Sequence, residues 1–95
     1  MGDRKAPDRE LLSSAHTFPG EYVIKAFGPA GPAFESEVQA CAHSVLGADR
    51  VAAHTRSSRG GRRTCVTLTL QVETVDEVVA TYENLNGLDS LLMIL

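Results

Sequence analysis

Between Thr64 and Val72 the chain alternates without a break, with Val66, Leu68, Leu70 and Val72 on one side and Cys65, Thr67, Thr69 and Gln71 on the other. Period-two alternation describes a strand with one buried face and one wetter face. Directly after it, Thr74-Val75-Asp76-Glu77 has the Thr-x-x-Glu spacing of a capping box, in which two side chains satisfy amides at a helix start. Val75, Val78, Val79, Tyr82 and Leu85 then recur at helical spacing, and Asn86-Gly87 ends the run. A one-sided strand feeding an amphipathic helix leaves two apolar surfaces that must meet something. This requirement narrows what the other segments can be.

Upstream, Glu21 to Phe27 alternates again, with Tyr22, Ile24 and Ala26 opposite Val23, Lys25 and Phe27. Gly28-Pro29-Ala30-Gly31-Pro32 is a loop by composition, and Pro32 suits the first position of a helix, where a missing amide costs nothing. That helix carries Phe34, Val38, Cys41, Ala42, Val45 and Leu46 on one stripe and stops at Gly47. Val51 to Ser57 reads as a polar, arginine-bearing strand, joined to the Thr64–Val72 strand through the turn Ser58-Arg59-Gly60-Gly61. Leu91 to Leu95 supplies a last apolar strand.

The order β, α, β, β, α, β defines an α+β domain of the ferredoxin-like type. Right-handed crossovers predict a four-stranded antiparallel sheet in the order 4-1-3-2, with both helices on one face. With 95 residues, one domain is expected over 18–95. Residues 1–17 read as a disordered tail, because only Leu11-Leu12 offers apolar area to offset ordering entropy. No apolar run approaches the ~20 residues of a membrane span. The polar first fifteen residues lack the apolar stretch of a secretory signal, so a cytoplasmic protein with no membrane role is expected. Cys41 and Cys65 share no metal or redox spacing and are expected as reduced thiols.

Several segments together resemble the YbeD-like family of small bacterial proteins. They are Phe18-Pro19-x-x-Tyr22-x-Ile24-Lys25-x-Phe27-Gly28, then Ser57-Ser58-Arg59-Gly60 with the Val66–Leu70 alternation, then Tyr82-x-x-Leu85 and Leu92-Met93-Ile94-Leu95. The resemblance spans residues 18–95. It implies a fold similar to ACT regulatory domains, which bind amino acids or other small effectors, and it implies no established biochemical role. The family pattern places an aromatic residue just after the hairpin turn, where this chain reads Gly61-Arg62-Arg63.

The net charge is −3, which argues against indiscriminate binding to nucleic acid. Yet five of the nine basic residues, Arg50, Arg56, Arg59, Arg62 and Arg63, fall in one stretch. Part of that charge protects an edge strand from pairing. The guanidinium fork also suits a carboxylate or phosphate. Lys25, Arg56, Arg59 and Arg62, with Gly28 and Gly31 in the loop before the first helix, are the candidate ligand or partner contacts. Phe27, Leu92 and Ile94 are the candidate association surface, and an apolar last edge points to a homodimer. The sheet face opposite the helices offers only Phe27 for base stacking, so nucleic-acid binding there is disfavoured. His16, His43 and His54 have no ligand spacing, so no metal or other cofactor is expected. No paired carboxylates or nucleophile–base arrangement stands out, so no catalytic residue is named and a non-catalytic module is expected. The expected role is regulatory, through binding a small effector or a protein; the alternative is a protein-interaction adaptor using the open face and the Leu91–Leu95 edge. Nucleic-acid binding through the arginine hairpin ranks below both.

Overall fold

A computed structural model describes residues 17–95. The expected tail therefore lies, apart from Thr17, outside the described residues. The elements are β1 (Gly20–Pro29), α1 (Pro32–Leu46), β2 (Val51–Ser57), β3 (Arg63–Val72), α2 (Val75–Asn86) and β4 (Met93–Ile94). Short 3₁₀ turns at Ala48–Arg50 and Arg59–Gly61 flank β2. The sheet order is β2-β3-β1-β4, and every neighbouring pair is antiparallel. This is the ferredoxin-like arrangement that the element order predicts.

β1 and β3 form the spine, paired from Gly20↔Val72 to Pro29↔Arg63. Directly paired residues share a face, so the register places Ile24 beside Leu68 and Ala26 beside Val66. The helices cover this side. Ile24, Ala26, Val66, Leu68 and Leu70 are fully buried with Val38 and Ala42 of α1 and Val78 and Leu85 of α2. Each large aliphatic side chain removed from water contributes about 1.5–3 kcal/mol, so these two strands and two stripes account for most of what holds the domain together.

Tyr82 of α2 meets Tyr22 of β1 edge to face at a centroid distance of 6.2 Å. Their hydroxyls lie 3.3 Å apart, which gives a mostly apolar contact a satisfied polar tip. Burial first, and the Tyr22 hydroxyl second, push the Tyr82 phenol well above its ordinary pKa. Thr81 is also fully buried, and its hydroxyl donates to the Glu77 carbonyl at 2.8 Å, so a polar residue completes the apolar stripe of α2.

α2 begins as its sequence predicts. The Thr74 hydroxyl oxygen accepts the Glu77 amide at 3.4 Å. The Glu77 carboxylate reaches back to the Glu73 amide at 2.7 Å and pairs with Arg50. The Arg50 hydrogen bond, foremost, holds the Glu77 carboxyl below its usual range.

Three strands differ from expectation in their bounds, β3 by its start at Arg63 rather than Thr64. β1 runs to Gly20 and Pro29 because β3 offers a partner along its full length. The last strand narrows from Leu91–Leu95 to Met93–Ile94, because Leu91 turns into the core at 4 % exposure. Backbone bonds extend the pairing on either side, from Leu92 N to Phe27 O at 2.8 Å and from Leu95 N to Lys25 O at 2.8 Å. So short a strand is a smaller edge hazard than five apolar residues in a row. No helix among the described residues is long and apolar enough to cross a membrane.

Candidate ligand groove on the open sheet face

The odd-numbered residues of β1 and β3 point away from the helices, and no helix or strand among the described residues covers them. The register lays them out in rows. Arg56, Cys65, Phe27 and Met93 form one row across all four strands. His54, Thr67 and Lys25 form the next, with Leu95 bonded through its backbone to Lys25. A third row holds Ala52, Thr69 and Val23.

A groove of about 520 Å³ opens over the first row. Phe27, Cys65 and Met93 form its floor, and Lys25, Arg56 and Arg63 stand around it. Ser57, Ser58 and Thr64 line the end nearest the hairpin. No carboxylate and no histidine is among the lining residues. Lys25, Arg56 and Arg63 are exposed and have no ion-pair partner among the described residues. Three cations without a counter-ion create a local positive field in a chain whose net charge is −3.

The hairpin turn sets where those cations stand. Ser58 N bonds to Arg63 O at 2.9 Å and the Arg63 amide donates to the Ser58 hydroxyl at 3.0 Å, closing the loop. Gly60 and Gly61 take φ of 82° and 68°, a conformation glycine adopts without strain. That geometry starts β3 at Arg63, which puts Arg63 on the same side as Cys65.

The structure sorts the candidate residues. Lys25 and Arg56 come together in the groove with Phe27. Arg62 lies in the turn, exposed, and does not line it. The side chain of Arg59 lies outside the described residues. Arg50, counted with the cluster in the sequence, is committed elsewhere: its Nε donates to Gln71 O at 3.0 Å and its guanidinium pairs with Glu77.

Gly28 serves packing rather than ligand approach. It is buried, and a Cβ there would fall 2.4 Å from two ring carbons of Phe34. Gly31, at φ 109°, is the N-cap position of α1 and does not line the groove.

The association surface also changes composition. Ile94 pairs with Ala26 and packs against the core, so it leaves the proposed surface. Its neighbours Met93 and Leu95, 47 % and 63 % exposed, take that place beside Phe27, and Leu92 stays 55 % exposed.

Arg63, Met93 and the two serines are site residues that sequence reading did not name. Extending the β3 alternation two residues back from Cys65 would have found Arg63. Met93 had no such signal, since Leu-Leu-Met-Ile-Leu contains no polar residue to mark a face.

Cys41 and Cys65 are both free thiols. Cys65 lies on the open face, whereas Cys41 sits between the helices, where its thiol donates to Asn84 O at 3.6 Å. Burial, then Glu37, pushes the Cys41 thiol pKa up. Among the described residues no three His, Cys, Asp or Glu side chains gather to hold a metal ion.

The fold and this face define a ferredoxin-like α+β domain with one uncovered, cation-bearing sheet surface. A family model described as a protein of unknown function, DUF493, matches residues 13–95, and the chain belongs to that family. No curated protein and no solved structure matches the chain.

Proposed function

We propose that this domain is a non-catalytic regulatory module that binds a small anionic effector on its open sheet face. One observation carries the reading: Lys25, Arg56 and Arg63 surround an apolar floor with no carboxylate among the lining residues. A site built from planar and point cations over an apolar base selects for negative charge and contributes binding energy through desolvated contact. The non-catalytic part of the reading rests on the lining chemistry. Cys65 is a nucleophile by type, but no histidine or carboxylate lines the groove with it; His54 stands one row along on β2, outside the lining.

A thermal-shift screen of amino acids, dicarboxylates, nucleotides and phosphorylated metabolites tests it. A ligand at 100 times its dissociation constant stabilises the fold by about 2.7 kcal/mol, a clear rise in Tm. The expected hit is an anion whose shift vanishes in Arg56→Ala. A screen in which no anion shifts the Tm, or in which hits are indifferent to Lys25→Ala and Arg56→Ala, ends this reading.

A second reading, a protein adaptor or homodimer, is favoured by the exposed Val23, Leu92, Met93 and Leu95 on and beside the same face. Sedimentation velocity across a hundredfold concentration range separates the two, since a homodimer changes its sedimentation coefficient and an effector-binding monomer does not.

A further inference from the structure

We infer that the effector is a small phosphate monoester with a flat, apolar body, its phosphate held at the β2–β3 end of the groove and its body lying on Phe27 and Met93. This inference rests on the effector reading above and narrows it to one class of molecule.

The argument starts from how the lining residues are distributed. The groove runs across the strands, along the row Arg56, Cys65, Phe27, Met93. Arg56 and Arg63 come from β2 and β3, and both apolar groups of any size, Phe27 and Met93, come from β1 and β4. One end is therefore cationic and the other apolar. Lys25 flanks the middle, one row along β1. With strands about 4.8 Å apart, four strands span roughly 14 Å, the length of a small organic molecule rather than of a folded partner. The volume of about 520 Å³ falls in the same class.

The charge and donor set chooses the head group. A single carboxylate would answer one of three unpaired cations. A phosphate monoester carries about −1.5 to −2 at neutral pH and three acceptor oxygens. Two guanidinium forks can each meet a pair of those oxygens. Ser58 also lines that end of the groove, where its hydroxyl is an additional donor. The Ser58 oxygen already accepts the Arg63 amide, which leaves its own proton free to donate.

The body follows from the other end. Phe27 is half-buried and Met93 is 47 % exposed, so each presents apolar surface still in water. A planar ring laid on a phenyl face gains offset stacking, and a thioether is a soft, adaptable contact for an aromatic edge. A single unstacked ring suffices, which separates this site from an RNA-binding sheet with its several aromatics.

The test compares four probes on the wild-type chain by isothermal titration calorimetry: phenyl phosphate, inorganic phosphate, benzoate and succinate. Phenyl phosphate should bind at least tenfold more tightly than either inorganic phosphate, which lacks the body, or benzoate, which lacks the second charge. Arg56→Ala with Arg63→Ala should weaken phenyl phosphate at least tenfold, and Met93→Ala should weaken phenyl phosphate while leaving inorganic phosphate unchanged. Both variants are exposed positions, and circular dichroism melts confirm that they remain folded. Inorganic phosphate binding as tightly as phenyl phosphate would overturn the inferred body, and succinate binding more tightly than either phosphate would overturn the inferred head. In both cases Arg56-dependent binding would leave the effector reading standing. No binding by any probe overturns this inference; the effector reading falls with it only if the wider anion screen is also flat.

Discussion

Ile24 and Val23 are neighbours in one strand, yet one has no exposed surface and the other is 47 % exposed. The same division runs along the whole sheet. Leu68 is fully buried beneath the helices, whereas Thr67, one residue earlier, faces outward. One side of the sheet is committed to the fold, with every large apolar group in contact with α1, α2 or both. The other side carries a lysine, arginines, threonines, a thiol and one phenyl ring, and holds no element in place. A sheet whose stability comes from one face leaves the other face free for recognition chemistry, which is why a ferredoxin-like fold alone indicates no function.

The sharpest test of that division compares the two neighbours directly. Leu68→Ala should cost about 2–5 kcal/mol, the transfer loss of a buried leucine plus the cavity it leaves. Thr67→Ala should stay within about 0.5 kcal/mol, as outward positions do. Urea unfolding of both variants reads the difference. A cost at Thr67 comparable to that at Leu68 would mean that something covers the open face in solution.

Gly28 tests the boundary between the two sides, since it follows Phe27 of the groove but lies under the Phe34 ring. Gly28→Ala should destabilise by about 1–3 kcal/mol through overpacking. In a Phe34→Ala background the cost should shrink, giving a coupling of about 0.5–3 kcal/mol. Additive effects in the double variant would show that the strain lies in the β1 backbone and not against the ring.

These same residues show why the core was readable from the sequence and the site only partly so. Alternation and helical spacing are long, redundant signals. Val66, Leu68, Leu70 and Val72 name their face four times over, and the capping box at Thr74 names the start of α2. The outward side of Lys25 was readable too, because alternation sets it opposite Ile24 and Ala26, while its meeting with Arg56 depends on the β2-β3-β1 strand order. The side of Arg63 follows from the β3 alternation once the strand starts there, and the two positive-φ glycines of the turn fix that start. Gly28 could be read two ways in the sequence, as a ligand contact or as part of a connecting loop. A glycine in a loop after a strand suggests close approach of a ligand, and only packing reveals that the close neighbour is Phe34. Ile94 and Met93 exchanged roles because an all-apolar strand carries no phase. Arg50 left the cluster because its partner, Glu77, lies on a helix 27 residues away.

The helix-covered side also depends on a polar corner, and its effects are smaller. Thr74→Ala should cost about 1 kcal/mol, the usual loss of an N-cap side chain. Glu77→Gln should cost less, since the ion pair with Arg50 is partly exposed and screened by salt. Its signature is the pH dependence. The Glu77 carboxyl titrates lower in the folded chain than in the unfolded one. Its contribution is thus fully present above the ordinary glutamate value and disappears as pH falls through the lowered folded value. Thermal melts of wild type and Glu77→Gln should therefore differ most near neutrality and converge in acid. A gap that stays constant with pH would assign the loss to packing of the side chain rather than to the Glu77 charge.

The smallest expected effect is the most informative about the open face. Arg56→Ala should change stability by no more than about 0.5 kcal/mol in either direction, since the side chain is exposed and meets no counter-ion among the described residues. Removing one of three like charges can even stabilise slightly, because the self-repulsion around the groove falls. The same substitution should abolish the anion-induced rise in Tm. A residue that contributes nothing to the folded chain alone and most of the response to an anion is held there for recognition. If Arg56→Ala instead lowered stability by more than 1 kcal/mol in the absence of any anion, the arginine would belong to the architecture of the β2 edge. The division between a side that folds and a side that binds would then have to be drawn elsewhere.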